Sequence, residues 1–164
     1  MNVKNLIDTF FRNQHNIDRI LYDPQDVDLD PSDNSQNLRK VYKIMKEDPL
    51  DGSLIFDKCA DSMGHYNDCP WYVIEVKASD IRKAIVQLKS TLKYIYRKGD
   101  KVRKIAILLD QNRWNDRLAR IIYKIEGDLL FKRRKTNNES ITIFHNGEKL
   151  NFDINCYLVD FEKY

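Results

Sequence analysis

The chain has 164 residues, of which 42% are hydrophobic and 32% charged, and its net charge is +3. This length suits one core, so residues 1–164 are predicted to form a single globular domain. No apolar run approaches the roughly 20 residues that cross a bilayer, and the N-terminus lacks a secretory signal pattern. Three cysteines (Cys59, Cys69 and Cys156) are too few, and odd in number, for a disulfide framework. We therefore expect an intracellular, cytoplasmic protein with no membrane partner.

The first part of the chain is predicted to hold two helices, a loop and a strand. Helical spacing of apolar residues indicates an N-terminal helix over residues 3–14. Residues 22–34 carry two prolines and five aspartates and are predicted to be a loop. Ser35 can cap a second helix that ends before Pro49, and its apolar face is Leu38, Val41, Tyr42 and Met45. A strand is predicted to begin at 53–56, and residues 64–70 are predicted to form a turn.

The middle of the chain has the clearest pattern. Residues 71–77 are predicted to be a strand, and residues 80–98 a helix with Ser79 or Asp80 as its cap and Gly99 as its stop. Residues 103–109 end in a nearly all-apolar run that is typical of a strand buried on both faces. A strand, a helix and a strand in this order predict a right-handed unit with parallel strands. The fold class is therefore predicted to be mixed α/β.

The last third is predicted to contain one helix and several strands. The spacing of Leu118, Ile121, Ile122 and Ile125 indicates a helix that ends at Gly127. Strands are predicted near 129–134, 140–145 and 152–159, with a turn at Asn146-Gly147. The helix and strands of residues 114–160 are thus expected to extend the central unit.

The strand at residues 71–77 places a carboxylate and an ammonium group where a core is expected. Side chains at i and i+2 lie on the same face of a strand, so Glu75 and Lys77 should project together. Burying these charges is costly unless they serve each other or a ligand. The pair therefore suggests a chemical site, although a simple ion pair on a strand has the same pattern.

These residues resemble the motif of the PD-(D/E)xK nuclease superfamily, which includes restriction endonucleases and archaeal Holliday junction resolvases. That motif is an aspartate, a variable gap and then Glu/Asp-x-Lys on the next strand. Here Ala60-Asp61 stands at the place of the Pro-Asp, with thirteen residues between Asp61 and Glu75. The resemblance covers about residues 35–110. It implies a restriction-endonuclease-like core of order αβββαβ, a mixed central sheet flanked by helices, with extra C-terminal strands.

The resemblance implies a Mg²⁺- or Mn²⁺-dependent endodeoxyribonuclease. Asp61, Glu75 and the carbonyl of Val76 would hold the metal, and Lys77 would orient or deprotonate the attacking water. Gln87 would join the site, because many members carry a glutamine on the helix after the motif strand. A structural hydrogen bond is the other interpretation of Gln87.

Several other residues compete for places in this site. Asp57, with seventeen residues between it and Glu75, is an alternative first carboxylate, whereas Asp68 is too close in sequence. Glu47 is the candidate for an additional acid from a helix. A C-x5-H-x3-C pattern (Cys59, His65 and Cys69) could hold zinc, although its spacing fits no common zinc module.

Charge is unevenly distributed along the chain. Residues 1–57 hold eleven acidic and seven basic side chains, whereas residues 80–104 hold nine basic and two acidic ones. Such clustering is the footprint of a polyanion binder, although a solvated helix face would have it too. The predicted nucleic-acid-binding residues are Lys83, Lys89, Lys93, Arg97, Lys98, Arg113, Arg117, Lys132, Arg133 and Arg134. Trp114, Tyr123 and Phe131 could stack on bases, or lie in the core.

Taken together, the sequence predicts a metal-dependent nuclease that hydrolyses phosphodiester bonds of double-stranded or branched DNA. A homodimer is expected, because dimers are the commonest oligomers and would present two sites to two strands. Strands 129–159 could form the dimer or substrate surface. The alternative is a catalytically inactive nucleic-acid-binding or protein-interaction module that keeps the nuclease fold.

Overall fold

The computed structural model describes residues 1–30, 32, 34–113, 121–126, 129–134 and 139–164, with only the backbone described for residues 34, 121–126 and 129–134. The helices are α1 (Val3–Arg12), α2 (Leu38–Tyr42) and α3 (Ile81–Arg97). The strands are β1 (Ile17–Tyr22), β2 (Met45–Glu47), β3 (Leu54–Phe56), β4 (Ser62–Tyr66), β5 (Trp71–Lys77), β6 (Val102–Asp110), β7 (Ile121–Glu126), β8 (Leu129–Arg134), β9 (Ser140–His145) and β10 (Glu148–Val159).

The main sheet is mixed and runs in the order β1-β4-β5-β6-β10-β8-β7, with β9 paired to the first half of β10. β1, β4 and β5 form an antiparallel meander, and β5, β6 and the second half of β10 are parallel. The strands β2 and β3 pair only with each other and lie outside this sheet. The predicted α/β class is therefore confirmed.

Both faces of the sheet are covered, which explains the long apolar runs of β5 and β6. On one face, α3 packs with Ala84, Leu88 and Leu92 among alternate residues of these strands. On the other face, α1 packs with its buried apolar residues against the intervening strand residues. Glu75 belongs by alternation to the α3 face, so its carboxyl group lies at the margin of that core.

The central elements match the sequence prediction closely. β5 occupies residues 71–77 as expected, and α3 begins after Asp80, whose side chain accepts from the Lys83 N–H. Gly99 follows the helix with φ +82° and stops it. The Asn146-Gly147 turn also forms, with φ positive at both residues, and it joins β9 to β10.

Three predictions in the first half of the chain are wrong. β1 was not expected, and it adds a strand before the predicted loop. The second helix is capped by Asn37 rather than Ser35 and ends at Tyr42, so Met45 lies in β2. Gly64 lies inside β4 rather than in a turn. A Cβ at this position would lie 2.5 Å from the Phe11 ring of α1, which explains why a glycine stands in the strand. Only a glycine lets that aromatic ring approach the strand so closely.

The helix predicted near residues 118–126 is also wrong, because Ile121–Glu126 is strand β7. It forms a hairpin with β8, in which Ile121 pairs with Arg134 and Glu126 with Leu129. The spacing of these isoleucines fits a helix, but isoleucine is β-branched and favours strands. Leu118 and Gly127 lie outside the described residues.

The elements α1, β1, β4, β5, α3 and β6 follow one another as helix, three strands, helix and strand. This run spans residues 3–110, with α2 and the β2–β3 hairpin inserted between β1 and β4. Among the described residues, none of the helices is long and apolar enough to cross a membrane.

Candidate active site

An open cavity of about 700 Å³ lies where the parallel strands β5 and β6 end. The ends of parallel strands meet at one edge of a sheet, which is the usual place for a site in such folds. Its described lining residues are Met1, Val3, Asp26, Asp61, Glu75, Val76, Lys77, Ala78, Asp110, Asn112, Arg113, Phe161 and Glu162. Asp61, Glu75, Val76 and Lys77, predicted from the motif, thus line one cavity.

Asp61 and Glu75 are almost fully buried, at 3% and 1% exposure, and they are tied to each other through the backbone. The Asp61 N–H donates to Glu75 Oε2 at 3.2 Å, and the Val76 N–H donates to Asp61 Oδ2 at 2.8 Å. Asp61 precedes β4 and Glu75 lies on β5, which are antiparallel neighbours. The meander therefore fixes the separation of the two carboxyl groups.

Burial changes the acidity of both groups. It raises the pKa of Asp61 to about 7, and the negative charge of the neighbouring Asp26 acts in the same direction. Burial also raises the pKa of Glu75 well above its usual value, and the charge of Asp61 adds to this, while Lys77 opposes it. Two buried carboxyl groups close together disfavour simultaneous ionisation unless a cation joins them.

Lys77 is a basic side chain beside the pair. Its Nζ atom lies 3.9 Å from Glu75 Oε1 and donates to Gln87 Oε1 at 2.7 Å. Gln87, on α3, in turn donates through Nε2 to the Cys59 carbonyl at 3.3 Å. Gln87 thus orients the lysine and also holds the segment before Asp61. These are structural hydrogen bonds, which was the alternative interpretation of this residue.

The segment that leads into Asp61 is held from two sides. On one side, Arg39 Nη1 donates to the Asp57 carbonyl at 2.6 Å, and the Asp23 N–H donates to the Asp61 carbonyl at 2.8 Å. On the other, the Ala60 N–H donates to Thr91 Oγ1 at 2.7 Å. These buried bonds fix the backbone that presents the Asp61 carboxyl group.

The buried ion pair of Asp23 and Arg39 also helps to hold the segment that leads into Asp61. Arg39 Nε lies 2.6 Å from Asp23 Oδ1, and Nη2 donates to Oδ2 at 3.0 Å, which makes the contact bidentate. Asp23 is fully buried, so removing either partner would leave an uncompensated charge. The pair therefore joins α2 to the end of β1 and to the Asp61 segment.

Three carboxylates that line the cavity, Asp26, Asp110 and Glu162, were missed from the sequence. Asp26 lies in the turn after β1, and its side chain is close enough to hydrogen-bond that of Asp61. Asp110 ends β6 and accepts from the Asn112 N–H at 3.1 Å, while Arg113 Nε lies 4.0 Å from it. Asp26 was only one of five aspartates in a predicted loop, whereas Asp110 had a usable signal, since it closes a buried strand.

The competing carboxylates lie elsewhere. Asp57 faces Lys46, with 3.6 Å between their charged atoms, and does not line the cavity. Asp68 pairs with Arg103 at 3.1 Å on the surface. Glu47 is an exposed residue of β2 rather than of a helix. Of the candidates Asp57, Asp61, Asp68 and Glu47, Asp61 is therefore the one that lies beside Glu75.

The predicted basic residues divide into three groups. Lys83, Lys89, Lys93, Arg97 and Lys98 are exposed along or just after α3. Arg113 is exposed at the cavity rim. Arg117 and Trp114 lie outside the described residues, as do the side chains of Tyr123, Phe131, Lys132, Arg133 and Arg134. The described part of the predicted binding surface is thus the exposed face of α3 together with Arg113.

The residues of the possible zinc site are not brought together as a metal group. In the parts of the chain that the structure describes, no group of three or more His, Cys, Asp or Glu side chains is arranged to hold a metal ion. Cys59 is buried, and burial raises the pKa of its thiol. His65 Nδ1 instead lies 2.8 Å from Asp18 Oδ1.

The donor set of the cavity suits a hard cation that keeps much of its water. Mg²⁺ and Mn²⁺ prefer oxygen ligands, and Mg²⁺ commonly needs only one or two protein carboxylates. Of the described lining residues, five carry carboxyl groups and two are basic. Asp61, Glu75 and the backbone of Val76 are the residues that would hold such an ion. Comparisons of the chain with protein-family models, with curated proteins and with solved structures found no match.

Proposed function

We propose that this protein is a Mg²⁺- or Mn²⁺-dependent endonuclease that hydrolyses phosphodiester bonds of DNA. The observation that carries the proposal is the convergence of Asp61, Glu75 and Lys77 on one cavity. Asp61 immediately precedes β4, Glu75 and Lys77 lie on the neighbouring β5, and Gln87 of α3 accepts a hydrogen bond from the lysine. A structural ion pair would explain Glu75 and Lys77, but it would not explain a second buried carboxyl group beside them.

The order of the elements also supports the proposal. Helix, three strands, helix and strand is the core order of the PD-(D/E)xK nucleases that the motif resembles, and residues 3–110 have this order. Glu75 and Lys77 lie on β5, the third strand of this run. We therefore propose a restriction-endonuclease-like core for residues 3–110.

Each residue of the site has a role that follows from its position. Asp61 and Glu75 would bind the cation, which would neutralise phosphate charge and lower the pKa of an attacking water. Lys77, which Gln87 holds at 2.7 Å, would orient that water or take its proton. Asp26 and Asp110 would add negative charge to the cavity and strengthen cation binding.

The electrostatics distinguish this function from metal-free nucleic-acid binding. The cavity has more carboxyl groups than basic side chains, so it would repel a phosphate when no cation is present. The basic residues that attract a polyanion lie on the exposed face of α3 instead. A phosphate group would therefore bind in the cavity only together with a divalent cation.

The test is cleavage of supercoiled and branched DNA in Mg²⁺ or Mn²⁺. We expect wild type to cut and Glu75→Gln and Lys77→Met each to lose roughly 100-fold or more in rate. The controls are Glu148→Gln and Lys149→Met, which change exposed residues of β10 and should cut like wild type. Wild type that binds DNA with a steep salt dependence yet never cuts would support the inactive module instead.

A further inference from the structure

The hairpin of residues 45–56, formed by β2, β3 and their connecting turn, exposes an unusual amount of apolar surface. Leu50 is 95% exposed, Leu54 66% and Phe56 54%, and Met45 and Ile55 are exposed by more than a third. Met45, Leu54 and Phe56 line one groove, and exposed apolar side chains grouped in this way mark an interaction surface. The cavity with Asp61 and Glu75 includes none of these residues.

The hairpin is joined to the rest of the chain by few contacts. Its two strands pair only with each other, through Met45 with Phe56 and Glu47 with Leu54. Arg39 lies over the Phe56 ring at 5.2 Å, and Tyr94 OH donates to the Met45 carbonyl at 3.3 Å. A two-stranded hairpin is marginally stable by itself, so further burial of its apolar face would stabilise it.

One side of the hairpin forms the wall of a groove of about 610 Å³. Met45, Leu54 and Phe56 supply the apolar wall, since cross-strand pairs and alternate residues share a face. The described residues of the opposite side are Pro24, Gln25, Asn37, Arg39, Lys40 and Lys43. Its lining therefore includes three basic side chains and no acidic one among the described residues.

The tip of the same hairpin has the complementary character. Leu50 lies between Asp48 and Asp51, and these two carboxylates are exposed or half-buried. Asp48 Oδ1 accepts from the Leu50 N–H at 2.8 Å, and the Gly52 N–H donates to the Asp48 carbonyl at 2.9 Å. An apolar side chain flanked by acids is thus held on an ordered turn, which lowers the entropy cost of docking it.

We propose that the 45–56 hairpin is a self-association surface, in which the tip of each hairpin docks Leu50 into the groove of a second copy, with Asp48 and Asp51 beside Lys40 and Lys43. A tip and a groove on one hairpin form a self-complementary patch. A two-fold axis between two copies would therefore create two equivalent contacts, each between the tip of one copy and the groove of the other. The second copy is the occupant that the charges favour, because the acidic tip and the basic groove belong to the same chain. This surface differs from the C-terminal strands that the sequence suggested.

The test is sedimentation velocity of the full chain over a wide concentration range. We expect a reversible monomer–dimer equilibrium that Leu50→Ser weakens on the order of 100-fold, because two leucines leave the interface. Leu50 is almost fully exposed, so this variant should unfold at the same temperature as wild-type monomer. The control Phe144→Ser removes another exposed apolar side chain, on β9, and should dimerise like wild type.

A charge exchange tests the reciprocal arrangement directly. A variant with Asp48→Lys and Asp51→Lys, and another with Lys40→Glu and Lys43→Glu, should each dimerise weakly because tip and groove then repel. An equimolar mixture should recover dimers, since each tip meets a groove of opposite charge. A wild type that stays monomeric, dimers that survive Leu50→Ser, or a mixture without recovery would overturn the proposal.

Discussion

The carboxyl groups of Asp61 and Glu75 lie close together and are almost fully buried, which raises the pKa of Asp61 to about 7 and the pKa of Glu75 well above its usual value. The bonds from the Asp61 and Val76 N–H groups offset only part of the cost of burial. Lys77 Nζ lies 3.9 Å from Glu75 Oε1, and its positive charge opposes the rise in the pKa of Glu75. Under the proposed function, a divalent cation would bind these two carboxyl groups and displace their protons.

This burial gives the protein a pH-dependent stability. The pKa of Asp61 is raised from 3.8 to about 7, so the folded chain binds the proton more tightly than the unfolded chain between these values. In a chelating buffer the free energy of unfolding should therefore fall as pH rises through this window. Asp61→Asn cannot ionise, and its stability relative to wild type should increase by roughly 2–4 kcal/mol across the window.

Urea unfolding at several pH values measures this difference. Asp153→Asn, which changes an exposed aspartate of β10, is the matched control and should follow wild type throughout. If the curves of Asp61→Asn and wild type stay parallel from pH 4 to pH 7, the raised pKa of Asp61 is refuted.

At this scale the sequence predicted the motif residues but not all of their surroundings. Glu75 and Lys77 could be identified because alternation along one strand determines that they project together. Asp26 could not, because the turn after β1 brings it to Asp61 from 35 positions away in the sequence. The role of Gln87 as a brace likewise depends on where α3 packs, which the residue types alone do not determine.

Among the elements, the segment 57–61 is positioned by hydrogen bonds from α3 and α2 rather than by regular structure. Thr91 is completely buried, and its hydroxyl accepts from the Ala60 N–H at 2.7 Å and donates to the Gln87 carbonyl at 3.1 Å. Thr91→Val keeps the shape but leaves a buried N–H without an acceptor. We expect a loss of about 1–3 kcal/mol in the free energy of unfolding and slower cleavage.

Chemical denaturation and the DNA cleavage assay measure both effects. Thr142→Val is the control, since it removes a hydroxyl that bonds Asn151 at an exposed position, and it should change stability by less than about 0.5 kcal/mol. Equal effects of the two substitutions would mean that Thr91 does not support the segment before Asp61.

The packing of α1 on the sheet gives a second prediction for an element. A Cβ at Gly64 would lie 2.5 Å from Phe11 Cε1, so Gly64→Ala should cost about 1–3 kcal/mol of stability. Phe11→Leu removes the clashing edge of the ring, so the double variant should be more stable than the sum of the single effects implies. Thermal unfolding of the four proteins gives the coupling energy, and strict additivity would contradict the contact.

Sequence reasoning correctly placed the elements in which the length of the segment and the periodicity of its apolar residues indicate the same kind of structure. α3 has a long apolar stripe with a cap and a glycine stop, and β6 is too short and too apolar for an exposed helix. β7 was misassigned because Ile121, Ile122 and Ile125 fit a helical spacing, and only its pairing with β8 makes it a strand. β1 was missed because its pairing with β4 is a long-range contact.

At the scale of the whole molecule, positive and negative charge are separated. The cavity is rich in carboxyl groups, whereas the exposed face of α3 carries a row of basic side chains. A polyanion would therefore be attracted by the helix and admitted to the cavity together with a cation. Under the proposed nuclease function, the helix would supply the affinity for DNA and the cavity would supply the chemistry.

Binding of DNA should show this division. Lys93 is exposed on α3, so Lys93→Gln should lower the slope of log Kobs against log salt by about 0.9 if it contacts one phosphate. Lys149→Gln, on the β9–β10 hairpin, should leave the slope unchanged. Fluorescence anisotropy with a labelled duplex at several salt concentrations measures it, and identical slopes for the two variants would remove α3 from the binding surface.

The most direct test of the site is calorimetric titration of Mn²⁺ into metal-free protein at neutral pH. We expect wild type and Glu148→Gln to bind the ion in the cavity with release of protons, and Asp61→Asn and Glu75→Gln to lose that binding. Unchanged binding in both cavity variants, or no binding by wild type, would contradict a metal site at Asp61 and Glu75.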